Sequence, residues 1–135
     1  IIPQTAFLNQ IIWDTLEEHS RRLVRNGKKL FIIAGPAYDE DFGKIGPRKD
    51  IPVPSKNFKV IFVLDARQTA ADINQNTEMI SVMMPNVLSN GQKPNESNVC
   101  ETRSQLRQMN LRNQTWEKYR VTLAEIEKAS GIDFF

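Results

Sequence analysis

The chain is poor in the residues that most quickly assign a class. It has a single cysteine, Cys100, so no disulfide can close within it and it is not a disulfide-stapled scaffold. It has a single histidine, His19, which leaves one imidazole as a candidate general base. No run of about 20 apolar residues occurs, so no segment reads as a membrane-spanning helix. The net charge is only +2, which excludes a general polycation holding nucleic acid without specificity. What remains is ordinary globular material, 135 residues with 40% hydrophobic and 25% charged, enough for one domain with a modest core.

Against this background one stretch stands out, Asn9-Gln10-Ile11-Ile12-Trp13-Asp14-Thr15-Leu16-Glu17-Glu18-His19-Ser20-Arg21. At about 100° of rotation per residue, Asn9, Trp13, Glu17 and Arg21 fall along one side of a helix. An amide oxygen and a carboxylate can hold or orient a hydrated Mg²⁺-like ion, and a guanidinium can grip a phosphate through two parallel hydrogen bonds. Metal plus phosphate points to phosphodiester chemistry. The same residues also suit the wet face of any amphipathic helix, with Glu17 and Arg21 paired at i,i+4, and spacing alone favours that ordinary reading.

The order of short motifs favours the first. Ile2-Pro3-Gln4-Thr5, then Leu8-Asn9-Gln10, Trp13 and Leu16-Glu17-Glu18 are followed by Ile33-Ala34-Gly35-Pro36, Ile51-Pro52-Val53-Pro54, Phe58-Lys59-Val60, Met84-Pro85-Asn86, and Trp116 to Val121 leading to Ile126 through Phe134. This succession, spanning nearly the whole chain, resembles the DNA/RNA non-specific endonucleases, the ββα-metal nucleases. The resemblance implies an α+β fold in which an antiparallel sheet is flanked by helices, this chain supplying the metal-binding helix and the C-terminal strands and helix.

It further implies that Asn9 is the direct protein ligand of a Mg²⁺ or Mn²⁺ ion, that Glu17 orients metal-bound water, and that Arg21 faces the phosphate. A short Asp-Arg-Gly-His motif, whose histidine is the general base of such enzymes, lies upstream of the helix in that family. The chain starts at Ile1, where the helix approach begins, so residues 1–135 are expected to be the C-terminal portion of one nuclease domain, working with an upstream N-terminal half on DNA and RNA and not on membranes. General-base catalysis contributes about 10²–10⁴-fold, so the chain alone is expected to cleave poorly. His19 lies about 80° around the helix from Asn9 and is read as a non-catalytic helix residue. The other class to weigh is an inactive nuclease-like module that binds nucleic acid or protein. Relatives of this kind are exported, which implies a secreted or periplasmic location, or act in mitochondria; an inhibitor protein is unspecified.

The remaining organisation follows from periodicity and punctuation. Residues 6 to 26 read as the helix, with Leu8, Ile12, Leu16 and Leu23 as its apolar stripe and Gly27 as its stop. Lys29 to Ala34 reads as a central strand because Leu30-Phe31-Ile32-Ile33 is continuously apolar. Phe58 to Leu64 and Glu78 to Met84 read as two more strands, with Met79, Met83 and Met84 as core filler.

Asp39-Glu40-Asp41 lies in a Gly/Pro-rich loop and is read as solvated rather than metal-binding. Arg21, Arg22, Arg25, Lys28 and Lys29 form a basic cluster that suits a phosphate-tracking surface, or equally the negative end of the helix dipole. Residues 87–115 read as a polar insertion containing Asn95-Glu96-Ser97 and Asn113-Gln114-Thr115, formal glycosylation acceptors, together with Arg103, Arg107 and Arg112. Trp116 to Val121 reads as a short edge segment. Thr122 and Glu125 form a capping box opening a last helix that ends at Gly131, after which Phe134 and Phe135 pack back on the core.

Overall fold

A computed structural model describes residues 3–94, 105–106 and 115–135. The polar segment around Cys100, the two acceptor asparagines Asn95 and Asn113, and Arg103, Arg107 and Arg112 fall outside the described residues.

The N-terminal helix differs from the sequence expectation in its first turns. Phe7–Ile12 is π-helical and only Trp13–Arg25, here α1, is regular α-helix. The Trp13 N–H reaches back five residues to the Leu8 carbonyl, which widens the turn that carries Asn9. Such turns are concentrated at functional sites. Leu8, Ile12 and Leu16 are fully buried, as the stripe predicts. The helix stops in a Schellman arrangement: Gly27 takes φ +88°, its N–H meets the Val24 carbonyl at 3.0 Å and Lys28 N–H meets the Leu23 carbonyl at 3.1 Å. That left-handed φ suits glycine because no Cβ opposes it.

Five strands follow: β1 (Lys29–Ala37), β2 (Lys44–Ile45), β3 (Ile51–Pro52), β4 (Lys56–Leu64) and β5 (Met79–Pro85). β1, β4 and β5 form an antiparallel sheet in the order β1-β4-β5, while β2 pairs with β3 alone. The strand beginning at Lys29 is therefore at an edge among the described residues and not central, and it runs on through Gly35 and Pro36. Proline lacks the N–H that a doubly paired strand would need, which suits an edge. The apolar run that suggested two covered faces instead leaves Phe31 and Ile32 41% and 46% exposed. The central position belongs to β4, whose residues from Asn57 to Leu64 are all buried.

Side chains alternate across β4 and divide the core in two. Ile61 and Val63 join Leu8, Ile12 and Leu16 on the α1 side, with Ile80, Val82 and Met84 from β5. Phe58, Val60 and Phe62 point the other way, onto Ile126 of α2 (Leu123–Ser130). Met79 and Met83 pack at the second cluster and Met84 within the first, so all three methionines fill core as expected.

Within the short edge segment expected over Trp116 to Val121, Trp116–Tyr119 forms a 3₁₀ turn. Only Arg120 bridges Val82, with the Ser81 hydroxyl donating to the Val121 carbonyl at 2.6 Å. α2 opens with the expected box, Thr122 N–H donating to Glu125 Oε2 at 2.7 Å and Glu125 N–H to Thr122 Oγ1 at 3.2 Å. It ends at Gly131. Thr122→Ala should cost about 1 kcal/mol, read as a lower urea midpoint with the N-terminal helix unaffected. Phe134 returns edge-on to Phe58 at 6.2 Å, whereas Phe135 stays 51% exposed although its ring lies 6.1 Å from Phe62.

Candidate metal and phosphate site

The start of the helix is fixed by contacts from far along the chain. Asn86, at the end of β5 and 1% exposed, accepts the Thr5 N–H at 2.8 Å and donates to the carbonyls of Pro3 (3.0 Å) and Pro54 (2.9 Å). Thr5, equally buried, donates its hydroxyl to the Val87 carbonyl at 2.7 Å and accepts the Leu8 N–H at 3.2 Å. One asparagine thus ties the approach to the helix to the segments leading into β4 and out of β5.

Asn9 projects from this anchored turn and is exposed. Its backbone N–H is bound to the Thr5 carbonyl at 3.0 Å, while its side-chain amide makes no hydrogen bond among the described residues, leaving the oxygen free to ligate. Glu17 lies eight residues further on, roughly 12 Å along the axis at about 1.5 Å per residue. Even leaning back toward the N-terminus, as helix side chains do, its carboxylate is too far along the axis to share an ion with Asn9 directly, and would meet one only through intervening water. Among the described residues no three of His, Cys, Asp and Glu are grouped to hold a metal, so a cation at Asn9 would rely mainly on water and substrate oxygens. Mg²⁺, which gives up its waters reluctantly, tolerates such a site.

Arg21, although its side chain is well exposed, leans on carboxylates of its own helix. Its guanidinium lies 3.7 Å from Glu17 Oε2 and 3.3 Å from Glu18 Oε2. Glu18 also gathers Arg25 at 3.0 Å and Arg22 at 3.8 Å, and the hydrogen bonds from Arg25 and Arg21 hold its carboxyl below the usual range. Lys28 pairs with Asp65 at 2.9 Å and Lys29 with the Gln68 carbonyl at 3.2 Å. The basic cluster is thus matched, cation by cation, to acceptors of the chain itself. These contacts are exposed, where screening by water leaves them weak enough for a phosphate to compete.

The remaining sequence candidates take structural positions. Trp13 is half-buried against the core, and the Lys59 ammonium lies over its ring at 4.2 Å from the centroid. His19 packs against Trp116, the rings tilted with centroids 4.9 Å apart. In an active nuclease carrying this chain, His19→Ala should leave most of the cleavage rate; a loss matching removal of the upstream histidine would make it the base. In the acidic loop, Asp39 accepts from Ser55 Oγ at 2.6 Å and Lys56 Nζ at 2.8 Å. Burial pushes the Asp39 carboxyl up, and these two donors more than reverse it, so it ionises below the usual carboxylate range. Its contribution to stability is present above the unfolded value and lost as pH falls through the depressed one.

Two polar residues of β4 escaped the sequence reading. Asn57 (2% exposed) and Lys59 (8% exposed) share the α1 face with Ile61 and Val63, and Asn57 Nδ2 finds no hydrogen-bond partner among the described residues. Burial pushes the Lys59 ammonium down in pKa, partly offset by the Glu17 carboxylate. The available signal was a lysine inside the apolar run 58–64, on a face that alternation assigns to the core.

A mixed fold in which helices pack on the faces of an antiparallel sheet is that of the ββα-metal nucleases. The DNA/RNA non-specific endonuclease family profile matches residues 1–135, and the chain belongs to that family. It is 32% identical over 136 residues to a nuclease of Nostoc sp., covering 99% of this chain and 40% of that protein. It is 28% identical over 139 residues to a nuclease of Serratia marcescens, covering 98% and 40%. Human mitochondrial endonuclease G is 27% identical over 144 residues, covering 99% and 39%. The chain therefore spans about 40% of the length of these relatives. A solved chain from the EndoG/EndoGI complex, a structure concerned with EndoG inhibition, shares the fold with a TM-score of 0.52 at 24% identity, over 90% of this chain and 42% of that one.

Proposed function

We propose that residues 1–135 form the metal-binding portion of a nuclease that hydrolyses phosphodiester bonds of DNA and RNA with little sequence preference. The observation that carries this reading is the unbonded Asn9 amide on an anchored, widened turn, followed along the helix by Glu17 and Arg21. Asn9 Oδ1 offers a lone pair to Mg²⁺ or Mn²⁺. A bound divalent cation there would stabilise negative charge developing on phosphoryl oxygen. Glu17 accepts hydrogen bonds from ordered water and so fixes its orientation. Arg21, released from Glu17 and Glu18, donates two parallel hydrogen bonds to a phosphate. Contacts confined to phosphates carry no sequence information, which accounts for the weak preference.

The proton of the attacking water needs an acceptor, and His19 is occupied against Trp116. We assign that acceptor to an upstream half, for which the exposed Phe31 and Ile32 on β1 and a strand edge unpaired among the described residues offer a surface.

The test is plasmid nicking with Mg²⁺ or Mn²⁺, by this chain alone and after mixing with the polypeptide encoded upstream. Cleavage only in the mixture, abolished by chelation, supports the proposal. A folded mixture that binds DNA without cutting it would instead establish an inactive binding module.

A further inference from the structure

The central strand carries a charge that the chemistry above does not use. Lys59 is 8% exposed, and its neighbours across the sheet are Ala34 and Val82, whose side chains have no acceptor to offer. Among the described residues nothing accepts a hydrogen bond from its Nζ. The ammonium rests instead on the Trp13 ring at 4.2 Å and within electrostatic reach of Glu17. A buried cation is costly unless compensated, and filling this volume would need only a methionine. The compensation comes from the helix that bears Asn9.

Glu17 follows Trp13 by four residues on the same side of the helix, so the ammonium seated on the Trp13 ring gives it a second cation of a different kind from Arg21. Arg21 approaches at 3.7 Å from solvent, with its side chain 59% exposed, and is also drawn to Glu18 at 3.3 Å. Lys59 approaches from the sheet, where screening by water and salt is weaker. If Arg21 is to turn to a phosphate it must leave Glu17, and a carboxylate held only by Arg21 would then swing free. A fixed cation beneath the helix would oppose that swing.

We propose that Lys59 is a positioning residue for Glu17, holding that carboxylate toward the cation site when Arg21 engages phosphate. This rests on the reading of Asn9 and Glu17 as the metal side of the site. The effect runs against simple charge repulsion. A lysine acting only as a like charge would weaken cation binding, whereas one that places Glu17 strengthens it.

The experiment measures Mn²⁺ binding, without substrate, from the electron paramagnetic resonance signal of free Mn²⁺. It uses the chain together with its upstream polypeptide and compares the unchanged protein, Lys59→Met, Lys59→Arg, Glu17→Gln and the Lys59→Met/Glu17→Gln pair. Lys59→Met should raise the Mn²⁺ Kd about tenfold, as loss of outer-shell support does at other metal sites. Lys59→Arg should restore most of it, and Lys59→Met should add nothing once Glu17 is Gln. An unchanged or tighter Kd in Lys59→Met, or a full further loss in the Glu17→Gln background, overturns the proposal. If Lys59→Met does not fold, Lys59→Gln takes its place, with the same tenfold rise expected and an unchanged or tighter Kd again overturning the proposal. Asn9→Ala separates the two levels: Mn²⁺ binding that survives it sinks the metal reading itself, independently of Lys59.

Discussion

Asn9→Ala is expected to abolish Mn²⁺ binding and lower plasmid nicking by about 10³-fold or more, since the several kcal/mol that a metal ion contributes correspond to about tenfold per 1.36 kcal/mol. Stability should barely change. The Asn9 side chain is exposed and unbonded among the described residues, and alanine is a better helix former, so the unfolding free energy from urea titration should stay within about 0.5 kcal/mol of the unchanged protein. This separation of function from folding is what distinguishes a ligand from surface decoration. Glu17→Gln should weaken Mn²⁺ binding more than polynucleotide binding. If Asn9→Ala retains both metal affinity and cleavage, the helix is not the metal site.

Asn86→Ala is expected to have the opposite profile, a large loss of stability with no chemistry of its own. The side chain accepts one backbone N–H and donates to two backbone carbonyls at 2.8 to 3.0 Å, the bonds to Thr5 and Pro54 buried and that to Pro3 partly so. Deleting it strands all three groups, and at about 1–3 kcal/mol for each unmatched buried partner, moderated by relaxation, the cost should be about 3–5 kcal/mol. Equilibrium urea unfolding reads this directly. Metal affinity should fall as well, because Thr5 and the first helical turn lose their tether. A cost below about 1 kcal/mol would show that Thr5, through Val87, suffices to hold the turn.

Local signals in the sequence were reliable where the physics is local. The Leu8-Ile12-Leu16 stripe, the Gly27 stop, the Thr122/Glu125 box and the strands 58–64 and 78–84 each depend on neighbours a few residues away. The π-helical turn was not legible, because regular rotation was assumed across Phe7–Ile12 and the anchoring partner, Asn86, lies 81 residues from Thr5. Nor was the edge position of β1, since an apolar run reads the same whether its faces are covered by this chain or left open. At the site, helical spacing brought Asn9, Glu17 and Arg21 to notice. It did not show that Glu18 competes for Arg21, and it gave Lys59 only a place in a motif. That lysine acquires meaning once strand and helix are packed together.

The long reach of the Asn86 contacts also fixes an order of events during synthesis. Pro3 and Thr5 precede Asn86 by most of the chain, and the hydrogen bonds that seat them span 81 to 83 positions. At about 5–20 residues per second, the helix bearing Asn9 waits several seconds or more on the ribosome before its tether exists, and contacts this distant in sequence also close slowly. A nascent chain interrupted before Asn86 carries the Asn9 helix without the side chain that seats its approach, so that first turn acquires its tether only after Asn86 has emerged.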